Sequence, residues 1–458
     1  MLYCVIWDKL SIMNNTSPKH EIFVIILGII LILIGLLCNE HILSLLLCPD
    51  TGLEQHHKMN IRIAEIFMIG IGLALILFRK KDLTINISIL LLTLIIIFAG
   101  TEAFFRVFYT PITGVSEHKT LFEYHNELGW QMIPGKTGVY VSKHEFKTMI
   151  SINSAGMRDI EYSLAKPAGK KRIVILGDSF VSSMGVDVSD AFTEIMEFKL
   201  LKNTEVLNFG VNGYGPAQEL LLLRKRAIKY QPDLVVMVIF LGNDFNDISG
   251  LSDELDGYKR PKAFIDNRGK LQFSGIPVPL SKKHTFSDSR KICGMPRSHF
   301  VDFINKTIKL RKHEFNVVPA EVFLCRKNAD ARTKESYRLM GEIIKETNDF
   351  CKKNGATFMI AVAPSIVPVY EHLYWAEIKK KYSLNDHDYD LMLPNKIISD
   401  ICKNAGIPIV DLTSELKAAA KTGNDTYYFI NLHWNKAGEQ IVAEVLSDYI
   451  IRNKLLEK

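Results

Sequence analysis

Four short blocks of this chain carry side chains suited to acyl chemistry. Gly177-Asp178-Ser179-Phe180 ends the β-branched run Arg172–Leu176, and a serine at such a strand-to-helix turn offers its hydroxyl to a crevice and its N–H to an anion. Asn208-Phe209-Gly210-Val211-Asn212-Gly213-Tyr214-Gly215 follows a second run, where glycine lets a backbone N–H come close to a substrate oxygen. Leu241-Gly242-Asn243-Asp244 closes a third run with a carboxamide donor, and Asn431-Leu432-His433-Trp434-Asn435 supplies a base near the C-terminus. Taken together, Ser179 is a nucleophile, His433 its general base, and the N–H groups of Ser179 and Gly213 with the Asn243 amide form an oxyanion hole. Taken alone, the glycine block reads as readily as a plain turn, and a lone histidine is more often structural than catalytic. Their joint occurrence at successive strand ends is what points to catalysis.

The elements that must position them follow from the hydrophobic pattern. Strands are expected at Arg172–Leu176, Val206–Asn208, Leu234–Phe240, Thr357–Ala363 and Ile409–Asp411, with helices at Pro216–Tyr230, Thr333–Lys353 and Lys436–Leu456. This alternation marks an α/β domain with a parallel sheet, whose ligands bind beyond the carboxyl ends of the strands. Phe245–Arg332 interrupts the alternation directly after the third strand and is expected to act as a lid. Residues 104–170 are mixed and turn-rich and read as a stalk and entry subdomain.

With these blocks the chain resembles the SGNH (GDSL-type) hydrolase family, whose four named residues match Ser179, Gly213, Asn243 and His433. The likeness covers about residues 120–455; Leu128-Gly129-Trp130 and Ile152-Asn153-Ser154-Ala155-Gly156-Met157-Arg158-Asp159 are similar to the lead-in of membrane-anchored bacterial members. The resemblance implies a three-layer α/β/α, flavodoxin-like fold with a five-stranded parallel sheet, and ester hydrolysis or acyl transfer on sugars, lipids or small esters. One departure stands out. The family places an Asp two or three positions before the His, and here those positions hold Asn431 and Ile430. Asn431 is expected to orient the imidazole, Asp411 or Asp425 to substitute from nearby loops, or a backbone carbonyl to serve as third partner, as some members are thought to do. An amide cannot stabilise imidazolium by charge, so Asn431→Asp is expected to raise activity if the ring is under-supported.

The 458 residues carry 56 Lys+Arg against 50 Asp+Glu, a net +6 spread along the chain, which gives no reason to expect nucleic acid as a partner. A mean hydropathy of +0.09 is high for average charge, and the excess sits at the front. Ile22–Asn39 and Leu83–Thr101 run uncharged for 18 and 19 residues, close to the ~20 that cross a bilayer. Ile66–Phe78 spans only if Arg62 and Glu65 lie at the interface. About three membrane helices are therefore expected in residues 1–103, ahead of a hydrolase-like domain at 171–458 with its insertion at 245–332. Arg79-Lys80-Lys81 between the last two spans places that loop in the cytoplasm. The catalytic domain then lies outside the cytoplasm, on a multi-pass inner-membrane anchor.

Seven cysteines without close spacing indicate neither a zinc motif nor a disulfide framework, although Cys293 and Cys325 could pair in an exported domain. His284, His299 and His313 lack ligand spacing, so no metal or cofactor is expected. Trp434 reads as core rather than a sugar platform, and Asp178 and Asp244 as struts for the strand-end loops. Asn305 and Asn424 begin glycosylation patterns that matter only in a eukaryotic secretory context. Three functions follow from different classes: an esterase removing O-acetyl or other acyl groups from an extracytoplasmic carbohydrate or lipid, an O-acyltransferase or the partner of a polysaccharide-modifying membrane enzyme, and a non-catalytic glycan-binding protein.

Overall fold

A computed structural model describes residues 18–37, 39, 42, 55–79, 82–108, 118–142, 145–200, 203–249, 254–255, 258–279, 298–300 and 317–457. It forms two compact units, Met1–Pro111 with Thr285–Ile308, and Ile112–His284 with Lys309–Lys458.

The first unit contains helices α1 (Pro18–Leu37), α2 (Gln55–Leu77) and α3 (Asp82–Phe108). Its apolar side chains face outward: Ile66, Phe67 and Ile96 are 69%, 66% and 62% exposed. One segment, Asn86–Phe108, is long and apolar enough to cross a membrane, while the apolar stretch of α1, Glu21–Leu37, is shorter. Among the described residues, one of the three expected spans therefore has the length and composition to cross a membrane. α1 and α2 pack backbone to backbone: a Cβ on Gly28 would stand 2.7 Å from the Gly72 carbonyl, and one on Gly72 2.6 Å from that of Gly28. At the far end of α3, Glu102 accepts hydrogen bonds from Ser298 Oγ and the His299 and Phe300 N–H groups. Part of the expected lid therefore belongs to this unit.

The second unit is built on five parallel strands, β5 (Lys171–Gly177), β6 (Thr204–Gly210), β7 (Leu234–Phe240), β12 (Thr357–Ala363) and β13 (Ile409–Asp411), in the order β13-β12-β7-β5-β6. All five expected strands are present, and the last three have the expected bounds. Alternate residues feed opposite faces. Val174, Leu176, Met237 and Ile360 join one core with Leu220, Ile343 and Ile398, whereas Ile173, Ile175, Val236 and Met359 join another with Met196, Leu416 and Leu446. Helices thus cover both faces, and the layers are α/β/α.

Before the sheet come antiparallel hairpins β1 (Phe122–His125) with β2 (Gly129–Met132) and β3 (Thr137–Ser142) with β4 (Phe146–Ser151). These occupy the region read as merely turn-rich. Inside the insertion, β8 (Glu254–Leu255), β9 (Tyr258–Lys259), β10 (Lys262–Ile265) and β11 (Leu271–Ser274) form two further hairpins, and Tyr124 Oη donates to the Val278 carbonyl.

The helices that matter for the site are α4 (Ser179–Ser182), α5 (Phe192–Lys199), α6 (Pro216–Lys225), α7 (Asp244–Ser249), α8 (Ala320–Leu324), α9 (Ala331–Lys353) and α10 (Lys436–Arg452). α6 stops earlier than the pattern predicts. Arg226 leaves helical geometry and its guanidinium donates to the Ala155 carbonyl, after which Ala227–Tyr230 is a 3-10 turn. α10 likewise ends at Arg452, short of Leu456, with Asn453 as its cap. Cys325 is a buried free thiol, and its suggested partner Cys293 lies outside the described residues, as does Asn305.

Candidate active site

β5 leaves the sheet at Gly177, where an added Cβ would lie 2.3 Å from Val181 Cγ2, so only glycine lets α4 turn back so tightly. The Asp178 carboxylate caps that helix, accepting the Phe180 N–H at 2.8 Å. Burial pushes Asp178 up to about 7. The turn is held from below by Arg158, 2% exposed, whose guanidinium donates to the carbonyls of Ser182 (2.9 Å), Ser183 (2.8 Å) and Val186. Burial lowers this guanidinium to about 10, which leaves it charged at neutral pH. Glu439 of α10 accepts from Ser183 Oγ at 3.1 Å and from the Phe192 N–H at 3.0 Å. Ser179 thus sits on a turn fixed on both sides.

His433 reaches it from the loop before α10. Nε2 stands 2.7 Å from Ser179 Oγ, and Nδ1 3.0 Å from the Asn431 main-chain carbonyl. A carbonyl only accepts, so the proton sits on Nδ1 and the Nε2 lone pair faces the serine hydroxyl. Burial lowers the imidazole pKa, partly opposed by the Asn431 carbonyl, and a neutral ring is what a general base requires.

The third partner is therefore the Asn431 backbone and not its side chain, whose Nδ2 donates to Tyr140 Oη at 2.8 Å. Neither of the two carboxylates considered as substitutes is bonded to His433. The Asp411 carboxylate accepts from Asn395 Nδ2, the Thr413 N–H and Thr413 Oγ1, and no contact of the Asp425 carboxylate with His433 is present among the described residues. Trp434 is 1% exposed and meets Phe180 and Phe192 edge-on, so it is core.

Gly213 has φ +74°, a conformation glycine adopts without steric penalty. Its N–H makes no hydrogen bond among the described residues. The preceding Asn212 ties the loop to its neighbours, accepting from Ser182 Oγ at 2.5 Å and, through its carbonyl, from Trp130 Nε1 at 2.9 Å. Asn243 Nδ2 donates to Asp247 Oδ2 at 2.9 Å. This orients the amide and leaves its second N–H to point elsewhere. Asp247 pairs with Arg260 at 2.9 Å, both side chains 4% exposed, and the guanidinium lies over the Trp130 ring, 5.5 Å from its centroid. Asp244 accepts the Phe240 N–H, the strut role expected of it. Burial, with repulsion among neighbouring carboxylates, raises Asp244 and Glu219 well above the usual carboxylate range.

Ser179, His433, Asn431 and Asn212 line one narrow cleft with Tyr140. Gly213 and Asn243 line a second cavity, of about 680 Å³, with Arg260, Phe323, Arg332 and Ser336. Asn212 of the first and Gly213 of the second are consecutive in the chain. Tyr140, Glu145, Asp247 and Arg260 were not anticipated from sequence; Arg158 and Trp130 lie in blocks whose likeness was visible but whose roles were not.

No family model matches the chain, and no curated protein does. Solved structures similar to it include an acetyl xylan esterase, AlAXEase, at 11% identity and TM-score 0.34, covering 61% of this chain and 99% of that one. A member of the lipolytic G-D-S-L family from Veillonella parvula matches at 12% identity and TM-score 0.33, covering 62% and 99%. A lipase/acylhydrolase from Enterococcus faecalis matches at 13% identity and TM-score 0.32, covering 62% and 96%.

Proposed function

We propose that the protein is a membrane-anchored serine acylesterase of the SGNH type that removes acyl groups, O-acetyl in the first place, from an extracytoplasmic carbohydrate or lipid. The observation that carries this reading is the 2.7 Å contact between Ser179 Oγ and His433 Nε2. Ser179 attacks the acyl carbonyl while His433 takes its proton. The oxyanion is held by the Ser179 and Gly213 N–H groups and the Asn243 amide, and His433 returns the proton to the departing alcohol. Water then repeats the sequence on the acyl-enzyme. No cofactor or metal is needed.

The anchor reading rests on Asn86–Phe108 and on the outward-facing apolar side chains of α1 and α2, which suit lipid rather than water. The close Gly28–Gly72 approach is the kind of contact by which small residues join membrane helices. The basic cluster at Arg79 keeps its loop cytoplasmic, and the domain lies on the other side.

A second reading, acyl transfer to a sugar hydroxyl or partnership with a polysaccharide-modifying membrane enzyme, is favoured by one observation: the 680 Å³ cavity beside Gly213 and Asn243 has room for an acceptor. The reading without catalysis fits poorly with a neutral base in contact with a serine. Chromogenic acetyl-ester hydrolysis by the full chain, with and without an acceptor glycan, tests both enzymatic readings. Ser179→Ala must abolish turnover and fluorophosphonate labelling. Residual labelling in that variant, or none in wild type, sinks the proposal.

A further inference from the structure

We propose that Glu145 is a positioning residue that replaces the missing triad carboxylate indirectly, by fixing the main chain of Asn431 so that its carbonyl stays aimed at His433 Nδ1. The inference rests on the reading of Ser179 and His433 as a hydrolytic pair. Glu145 lies at the turn between β3 and β4, remote in sequence from the His433 loop. Its Oε1 accepts the Ile430 N–H at 2.7 Å, and its Oε2 accepts the Asn431 N–H at 2.9 Å. Ser142 Oγ donates to Oε2 at 2.8 Å, and the Glu145 N–H donates to the Ser142 carbonyl, so the carboxylate is itself held by its own turn. Such charge-assisted bonds are roughly twice as strong as neutral ones.

The same hairpin grips the loop twice more. Tyr140 Oη accepts the Asn431 side-chain amide at 2.8 Å, and Phe146 packs against Tyr428 with ring centroids 4.7 Å apart. The loop needs this grip. Leu432, between the accepting carbonyl and the base, has φ +66°, a left-handed conformation unfavourable for a side-chain-bearing residue that persists only where surrounding contacts over-determine it. Ordinarily a carboxylate would bond Nδ1 directly and tolerate small backbone shifts. Here the acceptor is the backbone, so any relaxation of Leu432 moves it.

The test uses the full chain in detergent with a chromogenic acetyl ester. Glu145→Ala is expected to lower kcat about 100-fold, the scale of a misplaced general base, with KM held within about twofold. Glu145→Asp keeps the charge and recovers part of the loss; Glu145→Gln, which presents an NH₂ to one of the two N–H groups, recovers less. The serine's fluorophosphonate labelling rate should fall in parallel with kcat. Wild-type kcat in Glu145→Ala overturns the proposal. An independent readout is amide exchange in the peptide spanning residues 428–433: faster exchange at Ile430 and Asn431 in Glu145→Ala is expected, and unchanged exchange overturns the proposal even if no esterase activity exists. Absence of Ser179-dependent turnover in wild type would instead strike at the hydrolase reading.

Discussion

The ring of Phe180, the residue after the nucleophile, lies nearly parallel to His433, with centroids 4.7 Å apart and planes inclined by 29°. The stack adds a flat wall to the Nε2 and Nδ1 contacts, so the imidazole is fixed in plane and in tilt. Stacking of this kind is worth about 0.5–1.5 kcal/mol. Phe180→Leu, which keeps the bulk and removes the flat face, should lower kcat by roughly 2- to 10-fold with KM little changed. Steady-state kinetics on an acetyl ester would read it.

The oxyanion donors make a stronger demand. Asn243→Ala removes an amide already oriented by Asp247 and should depress kcat about 100-fold or more, since one such donor contributes about 3–4 kcal/mol to the transition state. Unchanged turnover would remove Asn243 from the site.

Asn431→Asp changes meaning once the loop is seen. The side chain faces Tyr140 Oη and not the imidazole, so an added carboxylate has no path to Nδ1. Activity is expected to stay flat or fall slightly, with the tyrosine hydroxyl donating to the new group. A clear gain in kcat would mean that the loop can rearrange to form a conventional triad.

The pH dependence follows from His433. Its pKa is held below the ordinary value by burial, so the base is neutral, and competent, at pH 7. Activity should be lost only as pH falls through that lowered value, with the acid limb of kcat/KM centred below about 6.5. A profile from pH 4.5 to 8 that breaks above 6.5 would contradict the assignment.

Arg260 is expected to matter for stability more than for chemistry. Arg260→Met would strand the Asp247 carboxylate in a site where both partners are 4% exposed, at a cost of roughly 3–5 kcal/mol. Thermal unfolding of the full chain measures this, and adding Asp247→Asn should restore part of the loss. An undiminished melting temperature would show that the pair is dispensable.

The central strands were legible because parallel strands buried on both faces appear as unbroken apolar runs; Leu234–Phe240 is the plain case. Ser179 and His433 were legible because residue type and place at a strand end coincide. A backbone carbonyl was one of several third partners the sequence left open, because main-chain direction is not encoded in residue type; the carbonyl that meets Nδ1 is that of Asn431. Nor could short polar hairpins announce partners nearly three hundred residues away, which hid Tyr140 and Glu145. The early end of α6 is a tertiary effect, since helical pattern continues through Tyr230 while Arg226 turns to the Ala155 carbonyl.

Ser179 and His433 are separated by 254 positions, with four of the five sheet strands beginning between them. During synthesis β5, β6 and β7 can assemble while the base is still unmade, because each pairs with a neighbour already present. The serine therefore exists for most of the chain's synthesis as an unactivated alcohol. If Ser179 and His433 act as proposed, the base arrives only after β5, β6 and β7 have been made, so the serine becomes activated late in the assembly of the sheet.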